Sequence, residues 1–273
     1  MYRCPNNTIL PHGVGYTKHA MTTAVVTGAN KGLGLGVARA LGAMGIKVWL
    51  GARQESGGRA AEAQLRACGV DAEYLALDVT DDSSIATAVR RIGADSNGLD
   101  ILVNNAGIMV ETQGIYPDAL PPSQVPVQLI RQQYETNFLG AVALIQATLP
   151  LLRRSSAARI VNVTARMGSF DYKTDQNCEP EPYNLLGYSS SKAALNMATV
   201  VFARELRGTR IKINAVSPGI IATDLSGMRA GDLQDKPGFG STEQGAIPIV
   251  KYATLPDDGP SGGFFGPDGE MAW

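Results

Sequence analysis

From Met21 onward, short apolar runs alternate with amphipathic stretches, and this rhythm constrains the fold more than any other feature. Consecutive parallel strands need a crossover of a dozen or more residues, usually a helix. The repeated pattern therefore signals βαβ units and a parallel sheet. The apolar runs are Ala24–Thr27, Lys47–Ala52, Tyr74–Leu77, Ile101–Asn104, Arg159–Val163 and Ile211–Val216, with Phe264–Phe265 as a seventh. Helices are expected over Gly34–Met44, Gly58–Cys68, Ser83–Ile92, Gly187–Leu206 and Thr242–Tyr252. The third of these is capped by Asp81 or Asp82. Val127–Leu152 reads as one long helix that Pro150 kinks or ends. Loops are expected over Gly107–Pro126, Asp171–Asn184 and Asp224–Ser241, the last read as a mobile lid. The fold class is α/β, a doubly wound parallel sheet of about seven strands in one domain over residues 21–273. Residues 1–20 lack periodicity and read as a flexible N-terminal extension.

Composition narrows the function. A formal net charge of −1 with no charge runs gives no footprint for nucleic acid, whose binding needs clustered Lys and Arg. The two histidines, His12 and His19, both precede the domain, so no His-based triad or His-rich metal site is expected in it. The three cysteines, Cys4, Cys68 and Cys178, form no CxxC pair. Neither a disulfide framework nor a zinc site is expected, and the chain reads as cytoplasmic. No stretch reads as a membrane span. The expected partner is a small-molecule substrate, with no nucleic acid, membrane or metal, and the chain is expected to be a monomer or homodimer.

The first strand runs into Thr27-Gly28-Ala29-Asn30-Lys31-Gly32-Leu33-Gly34, and a helix follows. The spacing is not GxGxxG, yet the physics is that of a dinucleotide turn. Glycines let the backbone approach a diphosphate, and the helix N-terminus offers unpaired N–H groups and a positive dipole end. The end of the second strand then bears on which dinucleotide. An acid about 20 residues past the turn would bond the ribose 2′-hydroxyl of NAD. Arg53 stands there instead, preceded by Ala52. Its planar fork suits a 2′-phosphate, and Lys31 adds a second cation. The reading is an NADP(H) site.

At this point the residues resemble the short-chain dehydrogenase/reductase family, and its carbonyl-reductase-like branch, over Met21 to Trp273. TGANKGLG resembles the family's cofactor turn, with Gly28, Asn30, Lys31, Gly32, Leu33 and Gly34 as cofactor contacts. Asp78 and Val79 in LDVT resemble the segment that meets the adenine. Asn104-Asn105-Ala106-Gly107 matches the NNAG element, placing Asn104, Ala106 and Gly107 beside the cofactor. Pro218, Gly219 and Thr223 resemble the segment that holds the nicotinamide carboxamide. Asn137 in YETN resembles the helix asparagine of a proton relay, holding a water that links Lys192 to solvent. Tyr188 and Lys192 match YxxxK. The resemblance implies a Rossmann-like fold and a hydride-transferring enzyme. The chemistry also stands on its own. Tyr188 and Lys192 are i and i+4 on one helix face. A nearby ammonium and the positive nicotinamide favour the phenolate and lower the tyrosine's ordinary value of about 10. Tyr188 can then give its proton to a carbonyl oxygen as hydride reaches the carbon.

One departure matters. The family places Ser-Ser after the fifth strand, and this chain reads Asn162-Val163-Thr164-Ala165-Arg166-Met167-Gly168. Ala165 stands where a serine would hydrogen-bond the substrate oxygen. Losing such a donor costs about 100- to 1000-fold in rate. Thr164 points to the opposite face, while Ser169 is a candidate to reach in from the loop. The resulting expectation is reduction of a carbonyl, or of an activated C=C or C=N, with simple ketones impaired. The competing class is a non-redox NADP-binding protein, a sensor or a cyclase using the old pocket. Met109, Met167, Tyr183, Leu225, Met228 and Trp273 are expected to line an apolar substrate pocket.

Overall fold

The computed structural model describes residues 22–112, 119–175, 184–227, 229–233 and 236–273. The expected extension 1–20, Tyr183 and Met228 lie outside them. The strands are β1 (Thr23–Thr27), β2 (Lys47–Ala52), β3 (Ala72–Ala76), β4 (Ile101–Asn104), β5 (Arg159–Val163), β6 (Lys212–Val216), β7 (Phe264–Gly266) and β8 (Gly269–Glu270). They form one sheet in the order β3-β2-β1-β4-β5-β6-β7-β8, parallel up to β7, with the short β8 antiparallel. The helices are α1 (Gly32–Ala43), α2 (Glu55–Arg66), α3 (Asp82–Asp95), α4 (Val127–Tyr134), α5 (Gly140–Leu152), α6 (Phe170–Thr174), α7 (Leu186–Glu205), α8 (Ala230–Leu233) and α9 (Thr242–Ala253).

Helices cover both faces, so the strands can be apolar throughout. Side-chain alternation divides the core. Val26, Leu50, Val103 and Val161 pack with α1, α2 and α9, whereas Val25, Trp49, Leu102 and Ile160 pack with α3 and α5. Asp81 is the N-cap of α3, accepting from Ser83 N at 2.8 Å. The strand order reverses between β1 and β4. The crevice beyond the carboxyl ends of these strands is where an open α/β sheet offers a ligand site.

Three expectations change. The Val127–Leu152 helix ends in the turn that holds Pro150, one of the two expected effects, but it is not one continuous α-helix. A π turn at Glu135–Leu139 interrupts it, the kind of irregularity that gathers at functional sites. By length and composition alone that helix could cross a membrane, with a mean hydropathy of 1.2. Its buried residues, Leu144, Ile145, Leu151 and Leu152, belong to the core beneath the sheet. Finally, Cys68 is disulfide-bonded, so cysteine usage gives no argument about compartment.

Candidate active site

The glycine turn comes first. Gly28 and Gly32 have φ of +64° and +56°, a left-handed conformation that side chains resist. Gly34 answers a different need. A Cβ there would lie 2.4 Å from Gly28 O and 2.6 Å from Asn105 Nδ2. The turn is fastened to the end of β4. The Thr27 hydroxyl accepts from the N–H groups of Asn105 and Ala106, at 2.9 and 2.8 Å. Asn105 Nδ2 donates back to Thr27 O at 2.8 Å. These bonds hold the N-terminus of α1 open toward the crevice.

A cleft of about 980 Å³ runs from this turn along the carboxyl edge of the sheet. It is lined by Gly28, Asn30, Lys31, Gly32, Leu33, Gly34, Arg53, Asp78, Val79, Ala106, Gly107, Tyr188, Lys192, Pro218, Gly219 and Thr223. Asn104 is not among the lining residues. Its side chain is buried in the sheet, where Nδ2 donates to Asn162 Oδ1 at 2.8 Å; its neighbour Asn105 lines the cleft instead.

At the far end of β2, Arg53 is exposed and has no ion pair among the described residues. Lys31 differs, because its ammonium meets Asp224 at 2.7 Å. This contact ties the glycine turn to the start of the expected lid. The described part of that segment is not featureless. It holds a short helical turn at Asp224–Ser226 and the four-residue α8. Asp78 Oδ1 accepts from the backbone and hydroxyl of Thr80, at 2.9 and 2.7 Å.

At the other end α7 brings Tyr188 and Lys192 together. Both are buried, and the Lys192 ammonium lies 5.7 Å from the centre of the Tyr188 ring. It donates to Val163 O at 2.9 Å. Burial penalises both charged forms. It pushes the Lys192 ammonium down to about 8 and the Tyr188 phenol above its ordinary value. In the protein alone, then, burial outweighs the nearby ammonium, and Tyr188 holds its proton. That reverses the expected lowering for the chain without a bound cation.

Asn137 sits in the π turn and is buried. Its amide grips the backbone of Ile108 from both sides, Oδ1 accepting from Ile108 N at 2.8 Å and Nδ2 donating to Ile108 O at 2.9 Å. Nδ2 also donates to Ser191 Oγ at 3.0 Å. A Cβ on Gly107 would lie 3.4 Å from Asn137 Oδ1 and 3.5 Å from Lys192 Nζ, so a side chain there would press against both.

Among the described residues, neither expected candidate stands in the place of the missing serine hydroxyl. Ala165 is extended (φ −147°, ψ 151°), so Thr164 and Ala165 face opposite ways. Thr164 is buried and continues the sheet, its N–H donating to Val216 O at 2.8 Å. Ser169 donates to Ala272 O at 2.9 Å and caps α6 by accepting from Tyr172 N at 3.0 Å. Ser189 does not line the cleft. Ala165 packs instead with Met109 and Met167 around Leu185 and Tyr188. Met109 and Leu225 line the cleft, as expected, but Trp273 stacks on Phe264 with ring centres 5.4 Å apart, away from it.

Sequence reasoning missed Glu111. This carboxylate is buried and accepts from Gly187 N and Tyr188 N, at 2.8 and 2.9 Å. The sequence offered Asn184 as a nearby capping residue, but the N-cap position falls on Leu185, which makes no side-chain cap bond, so only the structure shows the acceptor that comes from elsewhere.

Residues 22–233 match the family model for short chain dehydrogenase. The chain belongs to the short-chain dehydrogenase family. It is 34% identical to short-chain dehydrogenase/reductase 1 of Saponaria officinalis, the alignment covering 89% of this chain and 93% of that one. It is 31% identical to (+)-neomenthol dehydrogenase of Capsicum annuum, over 89% of this chain and 94% of that one. Among solved structures it resembles the NADPH-bound carbonyl reductase from chicken fatty liver, with a TM-score of 0.76, 29% identity and coverage of 93% and 99%. It also resembles salutaridine reductase from Papaver somniferum, with a TM-score of 0.73, 27% identity and coverage of 89% and 99%. This short-chain dehydrogenase is therefore an oxidoreductase on a Rossmann-like sheet.

Proposed function

We propose that the chain uses NADPH to reduce a carbonyl, or an activated C=C or C=N, on an apolar or aromatic small molecule, with Tyr188 as the proton donor. The observation that carries this is the buried Tyr188–Lys192 pair at one end of a cleft whose other end is a glycine turn beside the exposed Arg53. The cofactor half fits its group. Gly34 leaves no room for a side chain because α1 packs closely on Gly28 O and Asn105, and Gly28, Gly32 and Gly34 line the cleft without side chains. The helix N-terminus adds N–H donors, and the Arg53 guanidinium suits a 2′-phosphate. The NADPH-bound carbonyl reductase is one of the chain's structural relatives, which supports the same cofactor.

When bound, the dinucleotide supplies the hydride. Tyr188 keeps its phenolic proton through burial and delivers it to the oxygen, or to the carbon of an activated double bond. Lys192 has three donors, and among the described residues one is engaged, by Val163 O. The others are free for a ribose hydroxyl. Both N–H donors of the Asn137 amide are taken, by Ile108 O and Ser191 Oγ, so a relay water would donate to Asn137 rather than accept from it. Met109, Leu225 and Ala165 make the substrate end apolar. Intact Tyr188 and Lys192 favour this reading over a redox-silent NADP-binding protein.

The test is NADPH consumption against phenanthrenequinone, other diketones and enones, for the unaltered chain and for Tyr188→Phe. Turnover should vanish in the variant while NADPH binding stays nearly intact. A variant that keeps most of its rate would remove Tyr188 as the acid.

A further inference from the structure

We propose that Glu111 is a positioning residue for the proton donor, holding Tyr188 by its backbone from the opposite wall of the cleft. The proposal rests on Tyr188 being the acid.

α7 is the longest described helix and begins without a cap of its own. Leu185 occupies the N-cap position and makes no side-chain cap bond. The first N–H groups of a helix have no partner inside it, and here Gly187 and Tyr188 are buried. Glu111 supplies the acceptor for each of these two. Its carboxylate is 1% exposed, and its two oxygens accept from Gly187 N at 2.8 Å and Tyr188 N at 2.9 Å. A capping carboxylate normally comes from the residue just before the helix. This one comes from far along the chain, in the loop after β4.

That loop also forms the cleft. Gly107, Ile108, Met109 and Val110 line it, and Asn137 holds Ile108 at both backbone atoms. The loop is therefore pinned at two points, to the π turn by Asn137 and to α7 by Glu111. A third connection closes the frame. Asn137 donates to Ser191 Oγ, which donates to Tyr188 O at 2.8 Å. The N–H of Tyr188 is held by Glu111 and its carbonyl by Ser191, so its main chain is fixed on both sides relative to the loop that faces substrate. A hydrogen bond to an ionised acceptor is shorter and about twice as strong as a neutral one. Misplacement of a reacting group by about 1 Å costs on the order of 100-fold in rate. Glu111 sets that distance without touching the reacting atoms.

The chemistry also gives a reason for an acid rather than an amide. Two N–H groups point at one side chain, and only a carboxylate accepts at both oxygens. In Glu111→Gln one N–H keeps an acceptor and the other faces an NH2. In Glu111→Ala both are orphaned.

The experiment measures kcat and KM for phenanthrenequinone, with the NADPH Kd from cofactor fluorescence, in Glu111→Gln, Glu111→Ala and Tyr188→Phe. The expected result is a kcat lowered about tenfold in Glu111→Gln and about 100-fold in Glu111→Ala. KM should stay within threefold and NADPH Kd within twofold of the unaltered chain. Should both Glu111 variants keep kcat within twofold, positioning by Glu111 is overturned. It is equally overturned if NADPH affinity falls in step with kcat, because Glu111 would then support the cleft as a whole. Glu111→Gln keeps the volume and serves if Glu111→Ala does not fold. Tyr188→Phe separates the two proposals. An inactive Tyr188→Phe beside fully active Glu111 variants removes only the role of Glu111, whereas an active Tyr188→Phe removes the reading of Tyr188 itself.

Discussion

Replacing Ala165 by serine puts a hydroxyl beside Tyr188 at a place where none is available now. The Ala165 Cβ sits on extended backbone among Met109, Met167, Leu185 and Tyr188. Ser169 is committed to Ala272 O and Tyr172 N, and Thr164 faces the other way. A ketone oxygen gains charge as hydride arrives, and a positioned donor stabilises it by about 2.7 to 4 kcal/mol. Selecting one of three staggered rotamers takes back about 0.6 kcal/mol, RT ln 3. Imperfect placement, with no partner evolved to orient the new hydroxyl, removes more. A net gain of about 1.4 kcal/mol survives these deductions, which is tenfold in rate. The assay is kcat/KM for a simple aryl ketone, in parallel with a ketone carrying a hydroxyl next to the reacting carbonyl, and NADPH Kd as a control. The simple ketone should speed up at least tenfold, the hydroxyketone by little, and Kd should not move. An unchanged rate with the simple ketone would refute the claim that the site lacks a second donor. So would an equal gain with both substrates.

Two further predictions concern charge. Arg53→Asp should narrow or reverse the preference for NADPH over NADH, because the free guanidinium at the end of β2 becomes the acid that suits a 2′-hydroxyl; equal affinities in the unaltered chain, measured by titration, would remove the premise. Lys192 is held down to about 8 from 10.5, so the folded chain binds fewer protons than the unfolded chain between these values, and stability should rise with pH across that window. Lys192→Met should flatten the rise in chemical-denaturation midpoints. Reduction by the unaltered chain should fall as pH climbs past about 8 and the ammonium is lost.

The sequence conveyed the sheet well because parallel strands are buried on both faces and read as plain apolar runs. Lys47–Ala52, Ile101–Asn104 and Arg159–Val163 have the bounds expected of them. Helix starts were less legible, since α2 begins at Glu55 rather than Gly58, and a first turn carries little apolar pattern. The π turn at Asn137 was invisible, because one extra residue in a helix leaves no compositional mark. At the site, the residue types of the glycine turn and of the YxxxK pair carried the information. What they could not carry was connectivity. That Lys31 meets Asp224, that Trp273 turns away to Phe264, and that Glu111 caps α7 all depend on loops meeting across the fold.

The two ends of the cleft work by opposite physical means. The cofactor end relies on backbone. At the proposed cofactor end Gly28, Gly32 and Gly34 line the cleft without side chains, and the exposed Arg53 guanidinium is the proposed source of selectivity. At the proposed substrate end the catalytic pair is buried. Tyr188 and Lys192 lie at its buried margin, Met109 and Ala165 offer no polar atom, and the polar groups that position Tyr188 all act on its main chain. Burial there acts in one direction, making the phenol reluctant to ionise and the ammonium ready to lose its charge. In the chain without a bound cation Tyr188 thus keeps its proton at neutral pH, the form a proton donor needs, before any substrate has entered.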